Sequence, residues 1–119
     1  MPRDKSLYLA DMLEACGHVA AFVAATTPHA FAAERLFQAA VERELFILGE
    51  AAKHVSPAMR ERFPAVPWRQ AAGLRDVLGH DYFGLDNDEI WHIATVDLPA
   101  LEAQLRAIVA ELAAELAAE

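Results

Sequence analysis

At 119 residues and 55% hydrophobic composition, the chain has enough length for one packed core and too little for two, so a single globular domain over 1–119 is expected rather than a disordered or multidomain protein. Its one cysteine, Cys16, excludes an intramolecular disulfide and a cysteine-based zinc site. A net charge of −8 with only ten Lys and Arg argues against nonspecific binding of nucleic acid over a broad basic surface. Any phosphate contact must draw on a local group, and Arg60, Arg62, Arg69 and Arg75 lie close together in sequence.

The charged start, Met1 to Lys5, leads into an amphipathic segment and not a signal-peptide core. No apolar run approaches the roughly 18 residues a membrane helix needs, so a cytoplasmic location without membrane contact is expected. A first helix is predicted from Asp4 or Ser6 to about Ala25, on the stripe Leu9, Met12, Cys16, Val19 and Val23. Cys16 lies on that stripe and reads as a small buried hydrophobe. Glu14 and His18, four apart, form a pair expected to face solvent.

Thr26-Thr27-Pro28 stops the helix, and a long second one should run from His29 to His54. Its stripe is Phe37, Val41, Glu44, Leu48, Ala51 and Val55, in which Glu44 is a carboxylate at an apolar position. Phe46 and Ile47 add apolar character on other faces, so the helix is expected to be central or at a dimer interface. Glu44 and Glu50, with Arg43, could form a polar seam beside a site; solvated or internally paired charges are the plainer alternative. Ser56-Pro57 is a cap followed by a first-turn proline, opening a short helix through Phe63 that Pro64 ends. Pro67-Trp68 opens another helix, with Trp68, Ala71, Ala72 and Leu74 facing inward.

The chemistry gathers in Arg75-Asp76-Val77-Leu78-Gly79-His80-Asp81-Tyr82. Arg75 offers a permanent, forked cation, His80 titrates near neutrality and Tyr82 supplies a phenol. Positions 75 and 80 point about 140° apart on an ideal helix, so one helix face cannot carry both. Either Gly79 releases the helix, or a second protomer completes the site across a two-fold axis.

Asp86 and Glu89 form a capping box for a last helix running to the C-terminus through Ala94, Leu98, Leu101, Leu105, Ile108 and Leu112. Pro99 should kink or restart it, with Asp97 able to cap the second part, and the tail from Ala110 should fray. The pattern as a whole is all-α. Glu89-x-x-His92 and the Glu50/His54 pair suggest a carboxylate-bridged metal bundle, but that needs two Glu-x-x-His copies and only one is present, so no metal or other cofactor is expected. His29, His54 and His92 then read as surface or cap residues.

The order R-x-x-x-x-H-x-Y at Arg75, His80 and Tyr82 resembles the signature of the HepT-like toxins of the HEPN nuclease superfamily. So do Leu48-Gly49-Glu50-Ala51-Ala52-Lys53, similar to the family's I-G-E-A-A-K, and Ser56-Pro57, Pro67-Trp68-Arg69, Gly73 to Leu78 and Asp97-Leu98-Pro99. The resemblance covers roughly Leu7 to Ile108. It implies a HEPN-like antiparallel bundle of four main helices plus a short one, forming a homodimer in which two motifs face one cleft. It also implies a metal-independent endoribonuclease toxin. His80 would be the proton-transfer group and Arg75 the phosphate cation, Asp76 would orient either, and Tyr82 would contact phosphate or base. Glu50 and Arg43 would support the site. Asp76 departs from the Asn frequent in the family, which bears on rate and substrate preference. The implied partners are RNA and a companion minimal nucleotidyltransferase antitoxin that transfers AMP to the tyrosine matched by Tyr82. A helical dimer that docks the nucleotidyltransferase without cutting RNA is the alternative from another class, and the charge of −8 favours it.

Overall fold

The computed structural model describes residues 6–80 and 87–119, with side chains over 7–74 and 87–119. Its described residues form helices α1 (Ser6–Ala24), α2 (Pro28–Ala33), α3 (Arg35–Lys53), α4 (Pro57–Arg62), α5 (Trp68–His80), α6 (Asn87–His92) and α7 (Leu98–Ala118). A single π-helical turn, Ile93–Asp97, joins α6 to α7. The protein is an all-α bundle whose long members are α1, α3, α5 and α7, with short helices at their junctions.

α3 is the central helix, packed against both α1 and α5, and α1 in turn packs on α7. The stripe of α1 meets expectation: Leu9, Met12, Cys16 and Val19 are buried, alongside Val41, Leu45 and Leu48 of α3 and Leu101, Leu105 and Ile108 of α7 in one core. The stretch Leu48 to Lys53 supplies four of the buried residues of α3. Leu48, Gly49, Ala51 and Ala52 are all buried. Lys53 turns outward, while Glu50 is half-buried. Between α5 and α7 the bundle leaves a groove of about 380 Å³. It is spanned at one end by Gln104, whose Nε2 donates to the Ala65 carbonyl at 3.0 Å.

Several local expectations hold. Ser56 caps α4, its hydroxyl accepting from the Met59 amide at 3.2 Å with Pro57 in the first turn. Thr27 caps α2 in the same way, accepting from the Ala30 amide at 3.1 Å. Trp68 is buried and its indole donates to the Phe63 carbonyl at 2.9 Å, which fixes where α5 begins.

Others are corrected. The long helix expected from His29 to His54 is broken at Glu34, which is extended (φ −105°, ψ 97°) and separates α2 from α3. No proline or glycine marks the site. Gln38 stabilises the break by donating from Nε2 to the Phe31 and Ala32 carbonyls at 2.8 and 3.2 Å, at the end of α2. Asp97 does not cap α7: its backbone is helical (φ −70°, ψ −45°) and it makes no capping hydrogen bond. The chain passes Pro99 without a stop because the π turn precedes it. Leu98 donates back five residues to the Ile93 carbonyl, and the wider turn relieves the ring against the preceding backbone. The tail from Ala110 does not fray but stays helical to Ala118. The cap expected of Asp86 lies outside the described residues.

One segment, Leu7–Ala24, does reach 18 residues and is apolar enough by length and composition to cross a membrane, contrary to expectation. Its inward stripe is nevertheless packed on α3 and α7, as in the core helix of a globular domain.

Candidate functional site

α5 is placed by its first half. Pro67 sets the entry, the Ala71 amide donates to its carbonyl at 3.0 Å, and Trp68 and Ala71 bury against the core. The backbone then continues as helix through Gly79 to His80. Of the two alternatives raised by the spacing, release of the helix at Gly79 is therefore not what the backbone does. The side chains of Arg75, Asp76 and His80, and Tyr82 altogether, lie outside the described residues.

The two supporting residues, Arg43 and Glu50, come together. Both line a cleft of about 250 Å³ between α1 and α3, with Tyr8, Asp11, Phe46 and His54. Glu50 Oε1 lies 3.4 Å from His54 Nε2. The Arg43 guanidinium carbon stands 5.8 Å from the Phe46 ring centre, within cation–π range. Tyr8 stacks on His54 with ring centres 5.1 Å apart and planes 18° from parallel. Neither Tyr8 nor Phe46 stood out as a site residue in the sequence, and His54 read as a surface or cap residue. Phe46 could have been found, because positions 43 and 46 share a helix face. Tyr8 could not, since only the antiparallel packing of α1 on α3 brings it to His54.

Glu44 does not join that cleft. Its carboxylate is 13% exposed and accepts from His18 Nδ1 at 2.7 Å, so the misplaced charge on α3 is matched by a donor on α1. His18 Nε2 lies 3.9 Å from Glu14, and the expected solvent-facing pair is really the outer part of an inter-helix link.

The arginine group also divides. Arg60 donates through Nη2 to the Ala52 carbonyl at 2.7 Å and through Nε to Val55 at 3.2 Å, closing the C-terminus of α3. Arg62 is hydrogen-bonded to Glu115 and lies 3.7 Å from Glu111, so it fastens α4 to the end of α7. These carboxylates raise the Arg62 pKa further above its ordinary range. Arg69 is exposed beside Arg60 on a shallow surface. Two of the four cations are thus committed to structure.

Cys16 is chemically quiet. Burial, and then the Glu102 carboxylate, push its thiol up to about 12, with Arg106 opposing, so no thiolate forms near neutrality. Among the described residues, no three His, Cys, Asp or Glu side chains converge on a point that could hold a metal ion. Glu50 pairs with His54 on α3, whereas His92 lies 3.8 Å from Asp97 at the π turn.

The Ribonuclease HepT-like family model matches residues 12–108. A candidate RNase of Methanocaldococcus jannaschii is 35% identical over 106 residues, 89% of this chain and 97% of that protein. A protein named probable ribonuclease HepT from Thermococcus cleftensis is 35% identical over 102 residues, 86% of this chain and 93% of its own. A candidate RNase of Caldanaerobacter subterraneus subsp. tengcongensis is 34% identical over 102 residues, covering 86% and 91%. No solved structure matches with significance. With the helical bundle and the ordered motifs in place, the matched span of residues 12–108 shows that this chain belongs to the HepT-like ribonuclease family.

Proposed function

We propose that the protein is a single HepT-like domain over 1–119 that acts as a metal-independent endoribonuclease, the toxin of a toxin–antitoxin pair in the cytoplasm. The observation that carries this is the family match over residues 12–108, which includes the whole Arg75–His80–Tyr82 motif on and just after α5. In this reading His80 takes or returns the proton, at the 2′-hydroxyl or at the departing 5′-oxygen. Arg75 meets the charge growing on the phosphate, and Asp76 orients one of the two. Glu50 and Arg43 support the site from α3.

The unbroken α5 supports a homodimer. Because positions 75 and 80 lie about 140° apart around one continuous helix, a shared cleft is more readily built from Arg75 of one protomer and His80 of another. Two His80 groups in one cleft would also divide the roles of acid and base.

Tyr82 matches the position that a companion nucleotidyltransferase would modify. Its phenolic oxygen attacks the α-phosphorus of ATP, pyrophosphate leaves, and the tyrosine carries AMP. The added phosphate would block the cleft and oppose Arg75. Intact mass after co-expression with the companion enzyme tests this; an unmodified Tyr82 peptide would remove that mode of control.

The activity is tested by RNA cleavage in excess EDTA with wild type, His80→Ala and Arg75→Ala. Wild-type cleavage leaving 2′,3′-cyclic phosphate ends, reduced at least 100-fold in both variants, is expected, since acid–base catalysis alone contributes about 10²–10⁴-fold. Equal cleavage by all three, or none by any, would turn attention to a helical dimer that docks the nucleotidyltransferase without cutting RNA. The charge of −8 and the structural commitment of Arg60 and Arg62 favour that second reading.

A further inference from the structure

We propose that the cleft between α1 and α3 is a nucleobase-binding subsite, in which one unpaired base of an RNA strand stacks among Tyr8, Phe46 and His54. The inference rests on the ribonuclease reading for its ligand and names a place outside the Arg75–His80–Tyr82 motif.

Four observations carry it. First, two aromatic units face one cavity: the near-parallel Tyr8–His54 stack, and Phe46 with the Arg43 guanidinium beside it. Rings held in such pairs are platforms for a further flat group, and single-stranded RNA is bound through bases stacked on aromatic side chains and on arginine. Second, the volume of about 250 Å³ is below the roughly 300–1,000 Å³ of sites for drug-sized molecules, so it suits one ring system and not a folded nucleotide chain. Third, the charges select the base over the phosphate. Asp11 and Glu50 line the cleft together with Arg43. Carboxylates repel phosphate but accept hydrogen bonds from amino and imino groups on base edges. Fourth, the rings keep accessible surface: Tyr8, which packs in part against the core, and Phe46 are half-buried, and His54 is exposed.

The placement also addresses the charge of the molecule. A protein at −8 gains little from a phosphate track, and stacking is an attraction that net charge does not oppose. The subsite would supply binding and register, while cleavage is left to the motif.

The test uses the full chain and a set of short single-stranded RNAs carrying 5-iodouridine or 4-thiouridine at successive positions, photocrosslinked and mapped by peptide mass spectrometry. Adducts on Tyr8, Phe46 or His54 are expected. In parallel, Tyr8→Leu and Phe46→Leu, which keep apolar bulk and lose the ring, should raise KM for RNA about 5- to 100-fold, the loss falling on KM rather than kcat. Crosslinks confined to other residues overturn the subsite whatever KM does, and leave the cleft to a protein partner. Adducts on these rings in a wild-type protein that does not cut RNA keep the subsite and remove the nuclease. Cleavage with crosslinks elsewhere does the reverse.

Discussion

Two junctions in this bundle solve the same problem by opposite means. Between α2 and α3 the chain stops: Glu34 turns extended, its amide closes onto the Ala30 and Phe31 carbonyls, and Gln38 reaches back to cover two more acceptor contacts. Between α6 and α7 the chain never stops. The π turn keeps helical dihedrals at His92, Asp97 and Leu98, lengthens one hydrogen-bonded loop, and lets a proline follow. The Thr95 hydroxyl donates to the Trp91 carbonyl at 2.7 Å. The difference teaches that a helix ends where its backbone acceptors find other donors, and continues past a proline where the preceding turn can widen. The two junctions are also neighbours in space. Phe31 of α2 and Trp91 of α6 meet with ring centres 5.2 Å apart and planes tilted by 47°.

That shared contact gives the largest expected effect. Phe31 is 1% exposed, and Phe31→Ala should lower unfolding free energy by about 3–5 kcal/mol by denaturant titration. A loss under 1 kcal/mol would mean the junctions do not depend on one another. Gln38→Ala comes next. It uncovers two carbonyl contacts at the stop and should cost about 1–2 kcal/mol, with exchange of amides in α2 accelerating more than in α3. Thr95→Val keeps the shape of the π turn and removes only one donor, so about 0.5–1.5 kcal/mol is expected. If it costs as much as Gln38→Ala or more, the continuous junction is no less dependent on side-chain donors than the broken one.

The smallest effect at neutral pH lies away from both junctions. The Cys16 thiol titrates near 12 in the fold against an ordinary 9.0, so the folded state holds its proton more firmly. Below pH 9 both states are protonated and nothing changes. Between 9 and 12 the unfolded chain has lost the proton and the folded one has not, so stability falls as pH rises, by up to about 1.4 kcal/mol per pH unit. Cys16→Ala should lack that added slope, and a thiol reagent at pH 7 should label the native protein only as fast as it unfolds.

What the sequence disclosed follows the same physics. The buried stripe of α1, the stop at Thr27-Pro28 and the Ser56-Pro57 start are local, each written in residues within a turn of one another. The break at Glu34 was not legible, because it depends on a glutamine side chain four residues on and on Phe31 finding Trp91 some sixty residues away. Asp97 looked like a cap only while Pro99 was assumed to require a restart. The arginines looked like a cluster because sequence proximity hides their partners: the carbonyls that occupy Arg60 lie at the end of α3 and just past it, and the carboxylates that hold Arg62 are on α7. For the candidate site, Arg75, Asp76, His80 and Tyr82 were legible through their family resemblance. The Arg43–Glu50 cleft was half legible, since its α3 wall follows from helix spacing and its α1 wall from packing alone.

The π turn has a consequence in chain length. A turn of this kind holds one residue more than an α-helical turn while the faces before and after it stay in phase. Removing the exposed Val96 would therefore draw α6 and α7 into one regular helix, with Ile90 and Ala94 still on the buried side with Leu101 and Leu105. Only Pro99 would object, because a proline inside a regular helix costs about 3 kcal/mol. The extra residue and the proline are thus a matched pair. Deleting Val96 alone should be poorly tolerated, and deleting it together with Pro99→Ala should be accepted, a non-additive pairing of an indel with a substitution.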